Sequence, residues 1–418
     1  MRLSLDSIFK NVDPVISGIL NKALSHKEIS VQEAVELFDS NSKEMLMVIL
    51  VADELRRRKV GDYVTYVVNR NINFSNVCIK KCGFCAFSRD FREEEGYFLP
   101  TEEVVRRAKE AWKLGATEVC IQAGLPPQMD GDLYPNICRA IKRELPGIHI
   151  HAFSPEEVLY GAIRSEVSVE DYLKGLKDAG VGSLPGTAAE ILDQDLRQII
   201  SPGRISVKDW IRVVRSAHSM NIPTTSTIMF GHVETSLHKA RHLETIRELQ
   251  KHNGRFTEFV PLSFVHHEAP MFNFGLVQNM RPGPDGNEII KMHAISRIMF
   301  DGLIDNIQVS WVKEGPRMSQ LLLDCGVNDF GGTLMNESIS TAAGAQHGQL
   351  MKPKQIHAII RSSGRTPAQR STLYELIDSQ AETKRLDKDA LDNVDPADFG
   401  SYHELIKLDK FRYHSVRT

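Results

Sequence analysis

TYVVNRNINFSNVCIKKCGFCAFS, residues 65–88, joins a strand to a cysteine-bearing loop in a single run. Its first part, TYVVNRNIN from Thr65, is rich in β-branched and aromatic residues, and the NVCIKKCGFCAF that follows sets Cys78, Cys82 and Cys85 with three and two residues between them. Seven further strand-like runs follow: TEVCIQ from Thr117, IHIHAF from Ile148, VGSL from Val181, TTSTIMF from Thr224, FTEFVPL from Phe256, DNIQVS from Asp305 and VNDF from Val327. Amphipathic stretches between them predict helices over 101–114, 134–145, 168–179, 187–199 with 206–220, 236–252, 287–301 and 315–323, and a last one over 337–346. Eight such alternations predict an α/β fold, a closed (β/α)8 TIM-type barrel. The short fourth and eighth runs leave an open (β/α)6 partial barrel as the alternative.

Outward from this core, residues 1–63 read as a helical N-terminal cap: SVQE at Ser30–Glu33 has the form of a capping box, and Lys43–Arg58 is apolar at helical spacing. The barrel is expected over 64–350. Residues 351–418 are expected to form a C-terminal helix and a polar tail, with 380–418 loosely attached for want of apolar periodicity. MRLSLDSIFKNVD at the start has no charged segment leading into an apolar run, and no stretch has the ~18 apolar residues of a membrane span, so a cytoplasmic location without membrane contact is expected. Fifty-one basic and 54 acidic residues are interspersed, giving a net charge of −3 and no basic stripe, which argues against a nucleic-acid partner.

Six cysteines are too few for a disulfide scaffold, and the crowding of three suits metal ligation in a reducing compartment. Cys120, Cys138 and Cys325 stand alone and read as small buried apolar residues. A cubic iron-sulfur cluster ordinarily takes four thiolates, so three leave one iron open to a substrate. A structural zinc needs a fourth protein ligand, for which His149 or His151 would have to serve. In either case, a loop leaving the carboxyl end of the first strand lies on the face where such barrels keep their chemistry.

The CxxxCxxC pattern with the aromatic Phe84 before its last cysteine resembles the signature of the radical S-adenosylmethionine superfamily. The resemblance implies one 4Fe-4S cluster on Cys78, Cys82 and Cys85. S-adenosyl-L-methionine would chelate the open iron through its amino and carboxylate groups and be cleaved to methionine and a 5′-deoxyadenosyl radical. It also implies cofactor contacts from Phe84, from Gln122 and Gly124 in the IQAG turn after the second strand, and from Glu190 and Arg204 after the fourth. In that turn Ala123 stands where the superfamily usually has a glycine.

Across 64–374 the blocks NRNINFSNVC, GFCAFSRD, SLPGTAAEIL, GHVETSLH, FTEFVPLSFVH, DNIQVSWVKEG, NDFGGTLMNESIS and RTPAQRSTLY are similar, in that order, to the FO synthase subunits that couple L-tyrosine to 5-amino-6-(D-ribitylamino)uracil. This implies a transferase of deazaflavin (factor 420) biosynthesis that breaks the tyrosine Cα–Cβ bond and adds the 4-hydroxybenzyl group to the uracil. Its partners would be a separate ring-closing subunit, since only one CxxxCxxC occurs here, and an electron donor such as ferredoxin or flavodoxin. Aminofutalosine synthase and dehypoxanthine futalosine cyclase share the motif and form the alternative. A non-enzymatic zinc or iron-sulfur protein is the alternative of another class.

Strand ends nominate the substrate contacts. His232, Glu234 and Thr235 follow the fifth strand; Thr235 also suits a helix cap. Glu258 and His266 lie at and after the end of the sixth. Asn306, Gln308 and Ser310 alternate along the seventh, placing all three on one face. Asp329 and Thr333 flank the glycines before the helix near Glu337, where free amides suit the tyrosine carboxylate.

Overall fold

The computed structural model describes residues 13–377 and 390–414 of the 418. Among the described residues, three helices, Pro14–Leu24, Val31–Asp39 and Ser42–Val60, precede the first strand. Ser30 and Glu33 form the expected capping box: the Ser30 hydroxyl accepts the Glu33 amide at 3.2 Å, and the Glu33 carboxylate accepts the Ser30 amide at 2.7 Å. These helices bury Leu37, Val48, Val51 and Leu55 and pack on the helix Gly286–Met299, so the cap covers one flank of the barrel.

The first strand runs Tyr63–Val67, breaks at Val68 and resumes as Asn69–Ile72. Its upper half pairs Asn69 with Glu118, and the ring continues through Glu118 with His149, Ile150 with Val181 and Leu184 with Thr224. It passes on through Thr224 with Phe256, Phe259 with Ile307 and Gln308 with Asp329. Thr65 opposite Asp329 closes it, and every pairing is parallel. The barrel is therefore closed and eight-stranded rather than an open six-unit one. The seventh strand contributes only bridges at Ile307 and Gln308, and the eighth is Asp329–Gly332, two residues beyond the VNDF start.

Alternation along the strands decides what the lumen holds. Asn69, Asn71, Glu118, Cys120, Gln122, His151, Thr225, Thr227, Glu258, Val260, Gln308 and Ser310 line one cavity. The intervening Val119, Ile121, Ile150, Ile228, Phe259, Ile307 and Val309 are buried against the helices. Barrel interiors are usually filled by branched apolar layers. A lumen so polar stays open, because its side chains need partners that close packing alone would not supply.

Several helices differ from expectation. Pro155–Arg164 begins on a Ser154–Glu157 capping box and was not foreseen from the sequence. The stretch expected over 187–199 becomes helical only at Gln194–Ile200. The helix expected over 315–323 starts at Trp311 and kinks at Gly315, whose φ of 75° puts it in the left-handed region just before Pro316. The helix expected over 337–346 shrinks to Ile339–Ala342, since Gly344 turns the chain at φ 91°.

The loosely attached tail is also corrected, although 1–12, 378–389 and 415–418 lie outside the described residues. Thr366–Gln369 forms a ninth strand parallel to Tyr63–Tyr66. Residues 390–414 then fold against the cysteine loop: the Phe98 amide donates to the Phe411 carbonyl, the Tyr413 amide to the Gly96 carbonyl, and Arg70 stacks on Phe399 at 5.0 Å. Leu391, Phe399, Tyr402, Leu405 and Phe411 are buried at irregular spacing, so no single period betrays them. Among the described residues no helix is long and apolar enough to cross a membrane.

Candidate active site

Cys78, Cys82 and Cys85 face a cavity of about 410 Å³ at the mouth of the lumen. Backbone hydrogen bonds hold their loop: the Cys78 amide donates to the Arg89 carbonyl, the Ile79 amide to Leu125, the Gly83 amide to Ile200, and the Met271 amide to Gly83. Gly124 lets the turn after the second strand reach that loop, because a Cβ there would stand 2.3 Å from the Val77 carbonyl oxygen. Beside it, Gln122 donates to the Thr187 hydroxyl at 2.5 Å, and Glu157 accepts the Ala123 amide at 2.9 Å.

Arg204 supplies the charge at this rim. It lies 3.4 Å from the Cys82 sulfur, 5.4 Å from the centre of the Phe84 ring, 3.1 Å from Glu190 and 3.6 Å from Glu156. Burial pushes the Cys82 thiol up to about 12 and raises Cys78 as well, while the guanidinium works in the opposite direction on both. Metal loading must therefore release protons here, and Arg204 favours the thiolates that result.

Three free cysteines facing one cavity fit an iron-sulfur cube better than a zinc ion. Zinc at ~2.3 Å from each sulfur would gather its ligands to within about 4 Å of one another. Among the described residues, no three histidine, cysteine or carboxylate ligand atoms that include a cysteine lie within 4.8 Å of each other. His149 and His151, the zinc candidates, instead share the Ser183 hydroxyl at 2.7 Å each.

The floor of the cavity is a polar network. Arg370, buried, donates to Asp329 at 2.5 and 3.0 Å, to Glu258 at 3.3 Å and to Gln308 at 3.4 Å. Its guanidinium lies 3.9 Å from the centre of the Tyr374 ring, whose hydroxyl donates to Glu258. Burial holds Glu258 up at about 7 despite the arginine. Glu118 accepts from Asn69 at 2.8 Å.

Of the residues nominated from the sequence, Phe84, Gln122, Gly124, Glu190, Arg204, Glu258, Gln308 and Ser310 line the cavity with the three cysteines. The others do not. His232 has both ring nitrogens engaged by its own turn, with the Met229 carbonyl and the Val233 amide, and Glu234 accepts the Gly231 and His232 amides and pairs with Arg281 at 2.7 Å. Thr235 bonds His238 at the helix start. His266 stacks on His267. Asn306 donates to the Thr257 carbonyl below the cavity, and the Thr333 hydroxyl is taken up by the Asn69 backbone. Asp329 is consumed by Arg370 and Thr65. The amides expected to greet an anion after the eighth strand are occupied: Gly331 donates to Asp329, and Glu337 accepts those of Ser340 and Thr341.

Asn69, Asn71, Glu118, Lys313 and Arg370, none of them a candidate from the sequence, also line the cavity, as does His151, named only as a zinc ligand. Asn69, Asn71, Glu118 and His151 are readable from strand alternation. Cys120, expected to be merely buried, lies in the lining as well.

Comparison with known proteins completes the picture. Residues 72–249 match the Radical SAM superfamily and residues 253–383 the CofH/MqnC C-terminal region. The 5-amino-6-(D-ribitylamino)uracil--L-tyrosine 4-hydroxyphenyl transferase of Methanothermobacter thermautotrophicus is 46% identical, over 88% of this chain and 99% of that protein. The enzyme of the same name from Methanocaldococcus jannaschii is 48% identical, over 84% and 98%. Among solved structures, methylornithine synthase (TM-score 0.65, 18% identity, 84% of this chain and 97% of that one) shares the fold. So does the FeFe-hydrogenase maturase HydG from Carboxydothermus hydrogenoformans (0.67, 16%, 96% and 91%). This chain belongs to the radical S-adenosylmethionine superfamily and, within it, to the family of the 5-amino-6-(D-ribitylamino)uracil--L-tyrosine 4-hydroxyphenyl transferases.

Proposed function

We propose that this chain, like the relatives whose name it matches, takes L-tyrosine and 5-amino-6-(D-ribitylamino)uracil, and that it transfers the 4-hydroxybenzyl group from the first to the second. The observation that carries this reading is the single cavity that joins the three-cysteine rim to a polar lumen floor, in a chain alike over nearly the whole length of those transferases. That length of likeness favours it over the futalosine-pathway alternative.

Cys78, Cys82 and Cys85 would hold a 4Fe-4S cluster, which with S-adenosylmethionine supplies hydrogen-atom abstraction at the barrel mouth. Arg204 offsets negative charge at Cys82 and is itself oriented by Glu190 and Glu156. Phe84, Gln122 and Gly124 shape the cofactor side of the cavity. At the floor, Glu258, Gln308, Glu118 and Asn69 present donors and acceptors suited to a uracil and its ribityl hydroxyls, Ser310 offers a hydroxyl to the other substrate, and Arg370 fixes Glu258 and Gln308 in place. Asp329 supports the floor through Arg370 and Thr333 through the Asn69 backbone, while His232, Glu234, Thr235, His266 and Asn306 are not among its lining residues and receive no substrate role. A separate ring-closing subunit would take the product, and ferredoxin or flavodoxin would supply the electron.

The test is substrate choice. Anaerobic protein loaded with cluster, given tyrosine with the ribitylaminouracil, should form 5′-deoxyadenosine and the coupled product together. Stimulation by futalosine-type substrates and not by this pair would overturn the reading.

A further inference from the structure

Four cations line the cavity: Lys80, Arg204, Lys313 and Arg370. Three are paired. Lys80 lies 3.1 Å from Glu156, Arg204 3.1 Å from Glu190, and Arg370 2.5 Å from Asp329. Among the described residues the Lys313 ammonium has no hydrogen-bond or ion-pair partner. Its nearest charges compensate it poorly. Glu314 already accepts from the Ser263 hydroxyl, Glu337 from the Ser340 and Thr341 amides, and burial raises the pKa of both carboxyls, favouring their neutral forms. The hydroxyls of Ser310 and Ser340, which face the same cavity, bond to no other described residue. Glu190 also acts on the ammonium but is paired with Arg204. Burial lowers the Lys313 pKa, so its cation is costly unless a ligand supplies the counter-charge.

The substrates offer few anions to do so. The carboxylate of S-adenosylmethionine is engaged at iron in this superfamily, and the ribitylaminouracil carries no full negative charge. The carboxylate of the amino acid remains. We propose that Lys313, together with the Ser310 and Ser340 hydroxyls that line the same cavity, is the binding site for the amino-acid substrate's carboxylate. This rests on the reading of tyrosine as substrate.

The experiment compares tyrosine with tyramine, which lacks the carboxylate, as substrate and as competitive inhibitor of cluster-loaded enzyme with S-adenosylmethionine present. Lys313→Met and Lys313→Gln, each loaded to about four iron per chain, should raise the KM for tyrosine about 30-fold or more while the inhibition constant of tyramine moves by about twofold or less. Lys313→Arg, which keeps the charge, should recover most of the loss. A tyrosine KM that does not move in the neutral variants, or a parallel loss for tyramine, would overturn the carboxylate site alone. Parent enzyme that ignores tyrosine altogether would overturn the substrate reading and the site with it.

Discussion

The rim and the floor of the cavity are built in opposite ways. At the rim, three cysteines fall within eight residues of one loop, with Gly124 after the second strand and Glu190 and Arg204 after the fourth beside them. At the floor, Arg370 and Tyr374 return from beyond the barrel to meet Glu258, Gln308 and Asp329, each from a different strand. Chemistry that needs a fixed ligand spacing is written locally. Chemistry that needs a shaped polar surface is assembled from distant parts and shows only after folding.

Damage at the two places should therefore differ in kind. The largest effect is expected at the rim, where any one of Cys78→Ala, Cys82→Ala or Cys85→Ala should abolish S-adenosylmethionine cleavage while the denaturant midpoint stays close to that of the cluster-free parent. Full cleavage in any one variant would remove that residue from the ligand set. At the floor, Arg370→Met leaves Asp329 buried without its cation and should cost ~3–5 kcal/mol in denaturant unfolding. Iron loading should persist, and its loss would break the separation of rim from floor.

How much of this was readable follows from the same contrast. The eight strand runs and the helix between most pairs were legible because alternation and helical spacing are local. The fourth and eighth strands were harder, being short, and their closure depended on pairings such as Leu184 with Thr224 that no local pattern announces. Gln308 and Ser310 were placed by strand period, yet Asn306 on the same face fell below the cavity, since period fixes a side and not a depth. His232 and Glu234 sit at the right end of a strand but spend their polar atoms on their own turn, which a strand-end rule does not anticipate. Arg370 lies within the RTPAQRSTLY block, whose likeness marks the segment without giving the residue a role: it follows a proline-containing strand that pairs with the first, and only tertiary structure brings it to Asp329.

A smaller effect refines the picture behind the rim. Glu157, buried under the Ala123 turn, has its carboxyl raised from 4.5 to about 7, chiefly by burial. The folded state thus holds a proton that the unfolded state has lost between those values, and stability falls as pH rises through that window. Glu157→Gln does not titrate, so its stability relative to the parent should grow from pH 4.5 to 7, by up to about 3 kcal/mol. A difference that stays flat with pH would deny the shift.

The smallest effect probes how the C-terminal segment supports the rim. The Tyr402 hydroxyl lies 3.4 Å from the Asn76 amide and 3.2 Å from the Phe87 carbonyl, on either side of the cysteine run. Tyr402→Phe should cost about 1 kcal/mol. A cost of several kcal/mol would show the tail to be as integral as the floor.

The central claim, an incompletely ligated cluster whose open iron faces the substrate cavity, is tested most directly by EPR of anaerobically reconstituted, reduced protein with and without S-adenosylmethionine. The account predicts the signal of a reduced 4Fe-4S cluster whose g-values shift when S-adenosylmethionine is added. Absence of an iron-sulfur signal, or one indifferent to that addition, would contradict it.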